Sequence, residues 1–84
     1  MGRSIHSRER EVLVRLLREV RLEAGLKQAE VAAALKTHQS FVSRYESGER
    51  GIDLVDLRRL VLALGWTLPD FVDRYEAALE ADGA

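Results

Sequence analysis

Apolar residues recur every three or four positions along this chain, and no stretch alternates apolar and polar residues with period two. The first spacing places apolar side chains on one face of an α-helix, whereas a half-buried strand requires alternation. The pattern therefore predicts an all-α protein. In the first predicted helix the apolar face consists of Leu13, Leu16, Leu17, Val20 and Ala24.

Capping residues and glycines delimit five predicted helices. Side-chain oxygens at the starts can accept from free amides of the first turn, and glycines at the ends suit a left-handed backbone. The predicted N-caps are Ser7, Asp53 and Thr67, and the terminating glycines are Gly25, Gly48 and Gly65. The predicted helices cover residues 7–24, 28–35, 37–48, 53–65 and 67–80, and we expect residues 81–84 to fray.

The third helix has an unusual composition for a solvated helix. The segment from Thr37 to Gly48 reads THQSFVSRYESG, so its polar side chains are mainly Gln, Ser and Arg rather than Lys and Glu. In the major groove of DNA, Gln can pair with adenine and Arg with guanine. The composition therefore favours a helix that contacts base edges.

The joint between the second and third helices fits a helix-turn-helix. Two helices that cross steeply through a short turn need a small residue at the contact and apolar residues that lock the pair. Ala32 supplies the small residue, and the locking residues are Val31, Leu35, Val42 and Tyr45. An ordinary helical hairpin meets the same demands and stays open as an alternative.

The stretch GLKQAEVAAALKTHQSFVSRYESGER, residues 25–50, resembles the helix-turn-helix of the lambda-repressor/Cro type. This type is the xenobiotic-response-element (XRE) family of small bacterial and phage regulators. The resemblance continues through LVDLRRLVLALGW and ends near residue 66. It implies a five-helix lambda-repressor-like DNA-binding domain, and the length of 84 residues favours a single domain over residues 1–84.

The resemblance also assigns residue roles. It implies that Gln39, Ser40 and Arg44 contact bases from the recognition helix. A Gln39 that is only a first-turn polar residue and an Arg44 that contacts only phosphate stay open as alternatives. The residues expected to make phosphate or auxiliary contacts are Gln28, Lys36, His38, Ser43, Ser47 and Arg50.

The turn before the recognition helix departs from the family pattern. Lys36 stands where glycine is frequent in the family. A left-handed backbone at a non-glycine residue costs about 1 kcal/mol, so Lys36 indicates either tolerated strain or a different turn. Either Thr37 or His38 is the cap of the third helix, so its start is open between them. Asp53, at the start of the fourth helix, would repel a phosphate there, and we expect Arg50 to make that contact instead.

Arg21 and Glu46 match family positions that form an internal ion pair between the first and third helices. Breaking a buried pair strands the other charge and costs about 3–5 kcal/mol. The resemblance therefore implies a structural role for both residues. The alternative is two independent surface charges.

The fifth helix carries an apolar stripe that a small core has little room to cover. Aromatic side chains are frequent anchors of interfaces between subunits. The predicted homodimer interface consists of Trp66, Leu68, Phe71, Val72 and Tyr75. In the alternative, this helix only closes the core.

Composition narrows the function classes. The chain has a net charge of −1 and no cysteine, and its two histidines, His6 and His38, lie far apart. We therefore expect no metal site and no cofactor, and the absence of a Gly-rich phosphate loop or paired histidines argues against an enzyme. No apolar run approaches the ~18 residues of a membrane span, so we expect a cytoplasmic protein without a membrane partner.

These observations favour a sequence-specific regulator that binds double-stranded DNA as a homodimer and represses transcription at a palindromic operator. Two half-sites one helical turn apart would suit such a dimer. The alternatives are a DNA-binding antitoxin that also holds a toxin protein, a restriction-modification controller protein, and a protein-interaction module without DNA binding.

Overall fold

The computed structural model describes residues 7–83, and within them it contains five helices and no strand. The helices are α1 (Arg8–Glu23), α2 (Gln28–Ala34), α3 (Gln39–Ser47), α4 (Leu54–Ala63) and α5 (Leu68–Gly83). The all-α prediction is confirmed, although α5 continues beyond residue 80, where fraying was predicted. His6 and Ala84 lie outside the described residues. None of the described helices is both long enough and apolar enough to cross a lipid bilayer.

Side-chain caps fix three helix starts. Ser7 Oγ accepts from the Arg10 amide at 3.2 Å and Asp53 Oδ1 from the Asp56 amide at 2.8 Å. Thr67 Oγ1 accepts from the Asp70 amide, also at 3.2 Å. These contacts satisfy amides that the first helical turn leaves free, so all three predicted N-caps are confirmed.

The core lies where α1, α3, α4 and α5 meet. Its largest fully buried side chains are those of Tyr45 and Phe71, and α2 contributes Val31 and Ala32. Val12 is buried, whereas Ala24, at the C-cap of α1, is exposed. The predicted apolar face of α1 was therefore wrong at its C-terminal end.

The position of Phe71 corrects the predicted dimer interface. Its ring is 0% exposed and belongs to the core, so it cannot be an anchor for a second subunit. Trp66, Leu68 and Tyr75 are partly buried and pack against the same core, and only Val72 of the five is exposed. The α5 stripe faces inward because it has α1 and α4 to pack on, as in the alternative in which the helix closes the core.

Polar contacts also attach α5 to α1. Arg74 Nη1 and Nη2 donate to the two carboxylate oxygens of Glu23 at 2.7 and 2.6 Å. Near the N-terminal end of α1, the Tyr75 hydroxyl donates to the Glu9 carbonyl at 3.0 Å, and in the middle of α1 Arg15 donates to Asp82 at 3.2 Å. These contacts tie α5 to α1 along much of its length.

Candidate nucleic-acid interface

The crossing of α2 and α3 has the apolar lock that the sequence predicted. Val31, Ala32, Val42 and Tyr45 are all buried, and Leu35 is partly buried against them. Because these residues hold one side of α3 inward, the other side faces outward. That outward side carries Gln39, Ser40 and Arg44, all exposed, together with the half-buried Ser43 and the exposed Ser47.

The turn between the two helices is left-handed at Lys36, with φ of 58°. Two backbone bonds close it, from the Lys36 amide to the Ala33 carbonyl at 3.1 Å and from the Thr37 amide to the Ala32 carbonyl at 2.9 Å. This geometry is the usual left-handed end of a helix, here formed without glycine. Of the two options that the sequence left open, the structure therefore has the left-handed backbone at a non-glycine residue, and the Lys36 side chain is exposed.

His38 occupies the N-cap position of α3, with φ of −87° and ψ of 149°. Its side chain makes no capping hydrogen bond and is exposed, so the choice between Thr37 and His38 is settled by the backbone alone. The helix begins at Gln39, which places Gln39 and Ser40 in its first turn. Amides of a first turn point outward along the axis and are available to an acceptor.

The ion pair predicted between Arg21 and Glu46 is present. Arg21 Nε donates to Glu46 Oε2 at 2.6 Å and Arg21 Nη2 donates to Oε1 at 2.9 Å, in the two-pronged arrangement of strong arginine–carboxylate pairs. The two side chains are 9% and 8% exposed. The hydrogen bonds from the guanidinium to Glu46 raise the pKa of Arg21 despite its burial.

The same carboxylate positions Gln28. Gln28 Nε2 donates to Glu46 Oε1 at 3.0 Å, and Gln28 Oε1 accepts from Gln39 Nε2 at 3.4 Å. A continuous set of contacts therefore runs from the buried pair to the first residue of α3. The resemblance implied the Arg21–Glu46 pair, whereas the hydrogen bond by which Gln28 joins that pair depends on how the helices cross and has no sequence signal of its own.

Arg50 lies beside the aromatic side of α3. Its guanidinium carbon is 4.6 Å from the centre of the Phe41 ring and 5.8 Å from that of Tyr45, which are cation–π distances. Its amide donates to the Arg44 carbonyl at 3.2 Å, which fixes the loop after α3. Sequence reasoning missed Phe41 as the residue that holds this arginine, because the contact spans the helix end.

Tyr45 contributes a buried hydroxyl to the underside of this site. Its oxygen has no hydrogen-bond partner within residues 7–83, and burial raises the pKa of the phenol to about 12. The hydroxyl therefore stays protonated at neutral pH.

Within residues 7–83, no three His, Cys, Asp or Glu side chains come together as a metal site requires.

The comparisons with known proteins agree with this geometry. A family model described as a helix-turn-helix domain matches residues 12–74. An XRE-family-like protein from Pseudomonas syringae pv. tomato str. DC3000 has 36% sequence identity and a TM-score of 0.81, over 87% of this chain and 89% of that one. The chain belongs to the XRE family of helix-turn-helix regulators. Proteins of this family bind DNA and regulate transcription, so this chain is a DNA-binding transcriptional regulator.

The restriction-modification controller protein C.Esp1396I has the same fold. Its tetramer in complex with a natural 35-base-pair operator gives a TM-score of 0.82 at 18% identity, over 88% of this chain and 97% of that one. The wild-type controller alone gives 0.81 at 18% identity, over the same shares. At this identity the likeness concerns the fold. No curated protein matches the sequence.

Proposed function

We propose that this XRE-family protein represses transcription by occupying a palindromic operator as a homodimer. The observation that carries the proposal is the set of contacts from Arg21 through Glu46 and Gln28 to Gln39. A buried ion pair holds the first side chain of α3 in place before DNA arrives. Side chains fixed in advance lose less conformational entropy when they bind.

Three exposed residues of α3 are proposed to read base edges. Gln39 and Ser40 lie in the first turn. Gln39 can pair with adenine, Ser40 can hydrogen-bond to any base edge, and Arg44 can donate to the two acceptors of guanine. Arg44 lies four residues after Ser40, so the two side chains share a face of the helix. A short, exposed helix with this face fits the width of the major groove.

The remaining polar residues are proposed to contact the DNA backbone. Gln28 retains donor capacity, because its amide nitrogen carries two hydrogens and one of them serves Glu46. Phe41 holds the Arg50 guanidinium beside α3, and we place a contact with the DNA backbone there. The auxiliary contacts in the proposal are completed by Lys36, His38, Ser43 and Ser47.

A homodimer is proposed because one recognition helix reads too few base pairs. Each mismatch costs about 1–3 kcal/mol, which for three or four positions leaves little margin over the ~10⁶ competing sites of a genome. The exposed large apolar residues of α4 and α5 are Leu54, Val55, Leu62 and Val72. We place the interface there instead of at Phe71.

Selection from random DNA tests the proposal. Duplexes retained by the full chain should converge on a palindrome whose half-sites lie about one helical turn apart. Convergence on a single asymmetric half-site would contradict the dimer, and absence of any enrichment would contradict sequence-specific binding. A toxin partner is tested separately, by the mass of the complex purified from its own cells.

A further inference from the structure

A cleft of about 240 Å³ lies between α1 and α3, beside the proposed base-reading face. Its lining residues are Arg18, Arg21, Gln28, Ser43, Glu46 and Ser47. Arg21 and Glu46 compensate each other through their ion pair. Arg18 is therefore the only uncompensated charge among the residues that line the cleft.

Arg18 has no local partner on its own helix. The positions three and four residues away hold Val14, Arg15, Arg21 and Leu22, so no carboxylate lies within one helical turn on that face. Within residues 7–83 the Arg18 side chain makes no ion pair or hydrogen bond, and it is exposed. By contrast, Arg15 is already paired with Asp82.

The cleft also presents neutral hydrogen-bond donors. Ser43 is half-buried and its hydroxyl makes no hydrogen bond within the described residues, and Gln28 has an amide hydrogen beyond the one that Glu46 takes. A free guanidinium beside hydroxyl and amide donors suits an oxyanion with several acceptors, and a guanidinium matches phosphate with two parallel bonds.

The position of the cleft beside the proposed DNA-binding face indicates that the phosphate belongs to the DNA backbone. Ser43 lies four residues after Gln39 and directly before Arg44, so the cleft adjoins the face proposed to enter the major groove. A helix in the groove has the sugar–phosphate backbone along its sides. We propose that Arg18 binds a DNA backbone phosphate in this cleft, with Ser43 and Gln28 as accompanying donors. This inference rests on the proposed function.

The salt dependence of binding tests the inference. One phosphate contact contributes about 0.9 to the slope of log K against log salt, equivalent to roughly eightfold in affinity at 0.1 M salt. Because each subunit of the proposed dimer carries one Arg18, Arg18→Gln should lower the slope by about 2 and weaken binding to a random 30-base-pair duplex and to the selected operator by similar factors. Arg18→Lys should restore the slope. Base preference should not change, because phosphate carries no sequence information.

Arg15→Gln is the matched control, because it removes the same charge one turn away from a side chain that is directed to α5. Its slope should stay near that of the wild type, and both variants should keep the wild-type melting temperature within about 2 °C. An unchanged slope in Arg18→Gln, or an equal change in both variants, would overturn the inference and leave the proposed function intact. Wild-type protein that binds neither duplex would overturn the proposed function itself.

Discussion

At the scale of single residues, the polar side chains of α3 differ in whether they contact other residues of the protein. Gln39 is attached to Gln28, whereas the Arg44 side chain is exposed and makes no hydrogen bond within residues 7–83. An arginine without internal partners loses no protein contact when it turns to a base. Its substitution should therefore change DNA binding and leave the fold intact.

Arg44→Ala should weaken the operator by about 1–3 kcal/mol per half-site and relax preference at one base pair. The measurement is binding to the selected operator and to its single-base variants at one salt concentration. Arg8→Ala serves as the control, because it removes an arginine of α1 whose side chain contacts Asp82 and the Leu79 carbonyl of α5 and not α3. Equal weakening on all sequences would instead make Arg44 a phosphate contact.

Glu46 has the opposite character, because it is a buried acceptor for both Arg21 and Gln28. Glu46→Ala leaves the Arg21 charge buried without compensation, at a cost of about 3–5 kcal/mol. In a domain of this size that cost should lower the melting temperature by roughly 12 °C or more. Calorimetry measures this, with Glu80→Ala as an exposed control. Unchanged melting would show that the pair adds no stability.

At the scale of elements, local signals predicted the helices well and their packing less well. Ser7, Asp53 and Thr67 mark helix starts because a cap acts within one turn, which a sequence displays directly. The α5 stripe was recognisable as apolar, but its spacing does not say what it packs on. Burial of Phe71 depends on how α5 crosses α1 and α4, and that crossing is a property of the whole fold.

The attachment of α5 to α1 makes the stability of the fold depend on the ionisation of Glu23. Two hydrogen bonds from Arg74 lower the pKa of Glu23. A lowered carboxyl pKa in the folded state stabilises the fold above the unfolded-state value of about 4.3, and the effect is lost as pH falls through the folded-state value. The pair thus contributes to stability at neutral pH, and that contribution is lost in acid.

Carboxyl NMR titration of Glu23 should give a pKa below the ordinary range in the wild type and within that range in Arg74→Gln. The stability difference between wild type and Glu23→Gln should be present at pH 7 and disappear in acid, and added salt should reduce it because Glu23 is exposed. An equal Glu23 pKa in both proteins would show that the contact does not persist in solution.

At the scale of the whole molecule, the core leaves an apolar surface of α4 exposed, and we propose that this surface forms the dimer interface. Leu54, Val55 and Leu62 are 66%, 67% and 47% exposed and fall within about 100° of one another around α4. Sequence reasoning missed this surface because the same helix also carries the buried Leu60 and Val61. Apolar residues surround α4, so its pattern alone does not reveal which side stays uncovered.

A two-fold interface would pair this α4 surface with its copy, since the same patch must serve both subunits. Leu54→Asp with Val55→Asp should therefore give folded monomers that bind a palindrome no better than a single half-site. Sedimentation velocity measures the assembly, and circular dichroism checks the fold. Leu22→Asp, at an apolar residue of α1 that is 56% exposed, is the control and should stay dimeric. A monomeric wild type at concentrations well above those used for binding would refute a stable dimer, and a dimeric double variant would refute its placement on α4.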